Sequence, residues 1–166
     1  MDVSDTQITE LVERVAHLLK AREATVATAE SCTGGWIAKA LTDKAGSSDW
    51  FGYGIVTYSN EAKETLLGLA PELIDMHGAV SSEVAAQMAV GVRAISDADV
   101  AVAVSGIAGP DGGTDEKPVG TVWLAWKGPG SRAATQLAKF DGDRESIRRQ
   151  TVVAALKGIL RQLSDG

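Results

Sequence analysis

Residues 100–104 read Val100-Ala101-Val102-Ala103-Val104, an unbroken apolar run with a β-branched side chain at every second position. A strand with one wetted face alternates apolar and polar residues, so this run predicts a strand covered on both faces, central in a sheet between helical layers. The chain before it supplies the elements to cover it. Ser4 and Gln7 have capping-box spacing, and Ile8, Leu11, Val12, Val15, Leu18 and Leu19 form one apolar stripe on a helix ending near Ala21, with His17 beside the stripe as a structural residue. A first strand over Thr25–Ala29 leads through Gly34-Gly35 into a helix running to about Asp43. Gly52–Ser59 reads as a second strand with small residues on one side, where a ligand or another backbone comes close. Asn60–Leu67 and Ala70–Met76 read as short helices. Ser81 then caps a longer one with Val84, Met88, Gly91, Val92 and Ile95 on its inner face.

After the central strand, Val119–Trp126 and Arg132–Phe140 are strand candidates separated by Lys127-Gly128-Pro129-Gly130-Ser131, short enough for an antiparallel hairpin. Asp143 caps a last helix, whose stripe is Val152, Ala155, Leu156, Ile159, Leu160 and Leu163. Helices alternating with strands and then a hairpin predict the α/β class: one domain over residues 1–166, a three-layer α/β/α sandwich with a mixed sheet. Trp50 with Phe51, and Trp123 with Trp126, fit either a core or a self-association surface of a homo-oligomer.

Composition narrows the partners. A hydrophobic content of 45% with 23% charged residues suits an ordinary folded domain, and a net charge of −6 argues against a nucleic-acid backbone as the main partner. A small anion held by a few local groups stays compatible. The single cysteine forms no internal disulfide, and Asp2, Ser4 and Asp5 stand where a secretory leader would be basic and apolar, so the expected location is cytoplasmic. No apolar run reaches membrane-spanning length, so no membrane partner is expected.

In open α/β sheets ligands sit where loops leave the carboxyl ends of strands, and the unusual sequences fall at such ends. Thr28-Ala29-Glu30-Ser31-Cys32-Thr33-Gly34-Gly35 ends a strand with hydroxyls, a thiol and a glycine pair, just before a helix whose first N–H groups have no internal partner. Ser31 is a candidate nucleophile, with the amides by Cys32, Thr33, Gly34 and Gly35 as an oxyanion cradle; a plain helix cap at Ser31 or Thr33 is the alternative. Cys32 as nucleophile ranks below Ser31. Ser105-Gly106-Ile107-Ala108-Gly109-Pro110-Asp111-Gly112-Gly113 follows the valine strand and has glycine or proline at five of nine positions, which suits a loop whose main chain touches a charged ligand. It lacks the ending of a Walker loop and the glycine spacing of a dinucleotide fingerprint.

Lys63 stands just inside a helix N-terminus, where the helix dipole disfavours its charge, and burial would lower its pKa further, as a lysine base requires. A solvated surface lysine is the alternative. The only histidines, His17 and His77, lie outside these loops, which leaves Lys63 as the leading activator of Ser31. Arg144 and Arg148 share one face of the last helix, suited either to gripping a phosphate or carboxylate or to pairing with Asp143 and Glu145. Asp111, Asp115 and Glu116 have neither calcium-loop spacing nor a neighbouring histidine, so neither a metal nor a cofactor is expected.

These blocks, together with Val56-Thr57-Tyr58-Ser59-Asn60-Glu61-Ala62-Lys63, His77-Gly78-Ala79-Val80-Ser81 and Lys117-Pro118-Val119-Gly120-Thr121-Val122, resemble the CinA C-terminal domain family from the first helix to the last. The family occurs fused behind a molybdopterin-binding-like domain or alone, and the start at Met1 favours the stand-alone arrangement. Stand-alone members include amidohydrolases that turn nicotinamide mononucleotide into nicotinate mononucleotide and ammonia in pyridine-nucleotide salvage. The resemblance implies a metal-free serine amidohydrolase with Ser31 as nucleophile and Lys63 as base, assisted by Tyr58. It implies nicotinamide mononucleotide as the small-molecule partner, with the phosphate held by Ser105, Gly106, Ala108 and Gly109 or by Arg144 and Arg148. A non-catalytic nucleotide-binding or partner-binding domain is the rival reading.

Overall fold

The computed structural model describes residues 4–165; Met1–Val3, with the acidic Asp2, and Gly166 lie outside the described residues. In chain order the elements are α1 (Asp5–Ala21), β1 (Val26–Glu30), α2 (Trp36–Thr42), a 3-10 turn (Ser47–Asp49), β2 (Phe51–Val56), α3 (Asn60–Leu67), α4 (Pro71–His77), α5 (Ser82–Ser96), β3 (Val100–Gly106), β4 (Thr121–Lys127), β5 (Ala134–Lys139) and α6 (Arg144–Asp165). The five strands lie in the order β2-β1-β3-β4-β5. β2, β1 and β3 run parallel, β4 runs antiparallel to β3 and β5 antiparallel to β4, so the sheet is mixed and β3 is its central strand.

The alternation of valine and alanine in β3 decides which helix covers which face. Val100, Val102 and Val104 pack with Val26, Val122 and Leu124 under α1, α2 and α6, and this cluster holds Val15, Leu19, Ile37, Leu156 and Ile159. Ala101 and Ala103 face the other way, beside Ala27 and Ala29 of β1 and Ala125 of β4, beneath Val84, Met88 and Val92 of α5. In register, Ala27 lies opposite Ala101, and Ala103 lies between Ala29 and Ala125. A sheet face of methyl groups lets a helix backbone settle close, so α5 packs where bulkier side chains would hold it off. Gly91 marks a second close approach, of α5 to α3, where a Cβ would stand 2.5 Å from the Leu67 carbonyl oxygen.

Most element ends follow local chemistry. Ser4 accepts a hydrogen bond from Gln7 N, Ser59 from Ala62 N and Ser81 from Val84 N, each capping the helix it precedes. Asp143 does the same for α6 through Ser146 N. The structure corrects or narrows the sequence reading at several points. β2 stops at Val56 instead of Ser59: Thr57 N makes the last pairing, with Glu30 O, and the Thr57 and Tyr58 carbonyls then turn to Lys63 Nζ instead of a neighbouring strand. The small residue Gly54 meets protein and not ligand: a Cβ there would lie 2.9 Å from Ala38 Cβ and 3.1 Å from Thr28 Oγ1. Ile95 is exposed at the end of α5, one turn past the buried stripe, and His17 is exposed on α1. Trp50 and Trp126 are core residues, buried to 1% and 2% exposure, so they are not available to a self-association surface. Among the described residues no helix is long and apolar enough to cross a membrane.

Candidate active site

Because β1, β2 and β3 are parallel, their carboxyl ends lie along one edge of the sheet, and three segments leave that edge together. Ser31 follows β1, Thr57-Tyr58 follows β2, and Ser105-Gly106 closes β3. The turn after β1 is anchored by Ser31 N donating to Val104 O at 3.1 Å and by Gly34 N donating to Ser31 O at 3.0 Å. Gly34 and Gly35 have φ of +60° and +102°, left-handed values that a side chain resists, and these glycines let the turn reverse tightly into α2.

Neither Ser31 nor Thr33 caps α2, and Gly35, the residue at the cap position, has no side chain to do so. Glu30 takes the role from the last position of β1. Its Oε1 accepts from Thr33 Oγ1 at 2.6 Å and from Ile37 N at 2.8 Å, and its Oε2 accepts from Ala38 N at 3.0 Å. A carboxylate buried to 1% exposure is thus met by the open amides of a helix start, where negative charge is favoured. The sequence reading missed Glu30. The available signal was an acid at the end of an apolar strand followed by a helix with no polar cap of its own.

Lys63 enters from the first turn of α3. Its Nζ lies 3.0 Å from Ser31 Oγ, 2.9 Å from the Thr57 carbonyl and 3.3 Å from the Tyr58 carbonyl. It is buried to 1% exposure, and among the described residues no carboxylate forms an ion pair with it. Burial therefore lowers its pKa from the ordinary lysine value. Three oxygens, Ser31 Oγ, Thr57 O and Tyr58 O, surround Nζ, and Ser31 Oγ donates to Tyr58 O at 3.4 Å; in its neutral form the amine has two N–H bonds for the carbonyls and a lone pair free to face Ser31 Oγ. Cys32 is also buried, and burial pushes its thiol up to about 12, away from the thiolate that a cysteine nucleophile needs.

A cavity of about 180 Å³ opens over this pair, bounded by Tyr58, Asn60, Ala79, Val80, Gly106 and Arg144. Ser31, Cys32, Lys63, Ser105 and Ala108 complete its wall. Ser105 is buried and donates to Ala79 O at 2.8 Å, tying the end of β3 to the loop before α5. Tyr58 is 60% exposed, with its phenol accepting from Arg144 Nη2 at 3.0 Å, so its ring stands at the mouth and only its carbonyl reaches the buried pair. Arg144 also donates to Gly109 O at 2.6 Å and so pins the glycine-rich loop.

Thr33, Gly34, Gly35 and Arg148 lie on the far side of the turn, along a separate cleft of about 590 Å³. Among its described lining residues no nucleophile stands beside a base; Lys39 pairs with Asp43 and Arg149 with Asp5 and Glu145, while Arg148 donates only to main-chain carbonyls. The shared anion grip expected of Arg144 and Arg148 is not formed. The nucleophile turn lies between them, and Arg148 spends its donors on Cys32 O at 3.0 Å and Thr33 O at 3.1 Å. His77 Nδ1 lies 3.6 Å from Glu83, and neither histidine lines the Ser31 cavity. Among the described residues no group of three His, Cys, Asp or Glu side chains is placed to hold a metal ion.

With this geometry in hand, the family model for the CinA C-terminal domain matches residues 8–163. The chain is 52% identical over 160 residues to the nicotinamide-nucleotide amidohydrolase PncC of Escherichia coli (strain K12), covering 96% of this chain and 97% of that protein. It is 56% identical over 154 residues to the protein of the same name from Pseudomonas putida, covering 93% and 96%. Among solved structures, a competence/damage inducible protein from Agrobacterium tumefaciens aligns with a TM-score of 0.92 at 45% identity, covering 99% of both chains. A CinA superfamily protein from Klebsiella pneumoniae aligns at 0.92 and 41% identity, covering 96% of this chain and 99% of the other. The single-domain α/β architecture, the run of the motifs along it and these matches over nearly the full length agree: the chain belongs to the CinA C-terminal domain family.

Proposed function

We propose that residues 1–166 form one nicotinamide-nucleotide amidohydrolase domain that acts in the cytoplasm, turning nicotinamide mononucleotide into nicotinate mononucleotide and ammonia. The observation that carries the chemistry is the 3.0 Å approach of Lys63 Nζ to Ser31 Oγ at the carboxyl edge of the sheet. The printed names of the PncC relatives support the substrate.

The reaction runs as two acyl transfers. Neutral Lys63, its N–H bonds directed to Thr57 O and Tyr58 O, accepts the Ser31 proton as Oγ attacks the carboxamide carbon. Among the described residues the Cys32 and Thr33 amides donate to no other residue, and these two N–H groups hold the developing oxyanion. One such donor contributes about 3 kcal/mol to the transition state. The C–N bond breaks as protonated Lys63 gives its proton to the nitrogen, and ammonia leaves. Water then attacks the nicotinoyl ester of Ser31 with Lys63 again taking a proton, and returning that proton to Oγ releases the acid. The small cavity takes the pyridine carboxamide end of the substrate. The ribose phosphate extends past Tyr58 to the mouth, where exposed Arg144 offers positive charge.

Ammonia release by the purified protein from nicotinamide mononucleotide, nicotinamide riboside and nicotinamide adenine dinucleotide, without added metal, tests this reading. Turnover greatest with the mononucleotide is expected. Binding of the mononucleotide without turnover overturns the proposal in favour of a non-catalytic binding domain.

A further inference from the structure

Beyond Ser31, Lys63 and the amides after Ser31, a guanidinium from the last helix is committed to the outside of that same turn. Arg148 projects from the first turns of α6, and its Nε donates to Cys32 O at 3.0 Å while Nη2 donates to Thr33 O at 3.1 Å. The guanidinium lies over Trp36 at 5.7 Å from the ring centre, which restricts its orientation from a third side. It also stands close behind Gly34, where a Cβ would come within 3.3 Å of Nη2.

The covalent connectivity makes these contacts consequential. The Cys32 carbonyl belongs to the same peptide unit as the Thr33 N–H, so a charged donor on that oxygen draws electron density from the amide and strengthens it as a donor. The Ser31 carbonyl shares a peptide unit with the Cys32 N–H, and it accepts from Gly34 N at 3.0 Å. Each amide assigned to the oxyanion therefore sits in a peptide unit whose oxygen is already engaged. The Thr33–Gly34 unit that delivers the second of these bonds is itself held by Arg148 through Thr33 O.

We propose that Arg148 is a positioning residue for amide hydrolysis, holding and polarising the nucleophile turn from behind without touching the substrate. This inference rests on the assignment of Ser31 as nucleophile with the adjoining amides as oxyanion donors. Two parallel donors on adjacent carbonyls require the planar fork of arginine; a lysine ammonium is a point charge and reproduces the geometry only in part. A group that acts through the oxyanion donors matters in the transition state and not in ground-state binding, so its loss lowers kcat and leaves KM in place.

The test compares wild type, Arg148→Lys and Arg148→Ala by steady-state ammonia release from nicotinamide mononucleotide, with thermal unfolding of each alongside. The expected result is a fall in kcat of about tenfold to hundredfold for Arg148→Ala, short of the full loss of an oxyanion donor, with KM within about twofold. Arg148→Lys falls between the two. Should Arg148→Ala fail to fold, Arg148→Lys carries the test alone through the same split of kcat from KM. A rise in KM at unchanged kcat overturns the proposal and makes Arg148 a substrate ligand. A lower unfolding temperature with unchanged kcat also overturns it and leaves Arg148 as a packing residue. Absence of turnover in the wild type is a different result, which refutes the amidohydrolase reading itself.

Discussion

Replacing Glu30 by Gln perturbs one buried contact set at nearly constant volume, and its cost follows from the donors counted around the carboxylate. Oε1 serves Thr33 Oγ1 and Ile37 N at 2.6 and 2.8 Å, and Oε2 serves Ala38 N at 3.0 Å. An amide retains one acceptor oxygen and sets an NH₂ group against at least one of the other donors. Losing one charge-assisted hydrogen bond costs about 1.5–3 kcal/mol. Removing the negative charge from the α2 N-terminus adds about 0.3–1 kcal/mol. The sum, roughly 2–4 kcal/mol, is a large part of the stability of an ordinary domain. At about 2–4 °C per kcal/mol for a chain of this size, the unfolding midpoint of Glu30→Gln is expected to fall by roughly 5–15 °C. Thermal unfolding followed by circular dichroism, with wild type at the same scan rate, measures it. A midpoint within about 1 °C of wild type refutes the claim that this carboxylate anchors the nucleophile turn to α2.

The activity of the wild type is expected to rise with pH through the lowered Lys63 pKa, because only the neutral amine accepts the Ser31 proton. A kcat/KM profile flat from mildly acid to mildly alkaline pH contradicts that role. The same shift fixes a stability trend: the unfolded chain holds the lysine proton to higher pH than the folded chain, so stability rises with pH between the folded pKa and the ordinary lysine value of 10.5. Lys63→Met flattens that slope in urea titrations at a series of pH values, and an unchanged slope counts against a lowered pKa. Cys32→Ala keeps the backbone amide and is expected to retain most ammonia release; loss of nearly all of it restores the thiol as nucleophile. Gly158→Ala would set a Cβ 1.9 Å from Trp126 Cε2, so overpacking of about 1–3 kcal/mol outweighs the helix-propensity gain of about 1 kcal/mol, and the midpoint drops. An unchanged or raised midpoint shows that Trp126 moves aside at little cost.

The sheet was legible because its signals are local and strong. The Val100–Val104 run marks a strand buried on both faces, and the Lys127–Ser131 loop marks a hairpin, so β3, β4 and β5 and the mixed topology follow from pattern alone. The serine caps at Ser4 and Ser81 read equally well, since each satisfies an amide three residues away. What sequence does not carry is which side of a turn a long side chain reaches. Arg144 and Arg148 stand one helical turn apart and yet serve opposite sides of the Ser31 turn, a consequence of where α6 crosses the sheet and not of their spacing. Glu30 escaped notice for a related reason: its partners, Ile37 N and Ala38 N, are main-chain groups that leave no mark on residue identity. Tyr58 illustrates a third limit. Its place in the motif is explained by a carbonyl directed at Lys63 as well as by its ring, and sequence names only the ring.

The claim on which the functional account depends is that the Ser31 hydroxyl, with its proton taken by the buried Lys63 amine, attacks the carboxamide. The most direct measurement is kcat for ammonia release from nicotinamide mononucleotide by Ser31→Ala, in protein shown to unfold at the wild-type temperature. The account predicts a loss of at least about ten-thousandfold, the scale on which removal of a serine nucleophile acts. Retention of activity within about tenfold of wild type contradicts it.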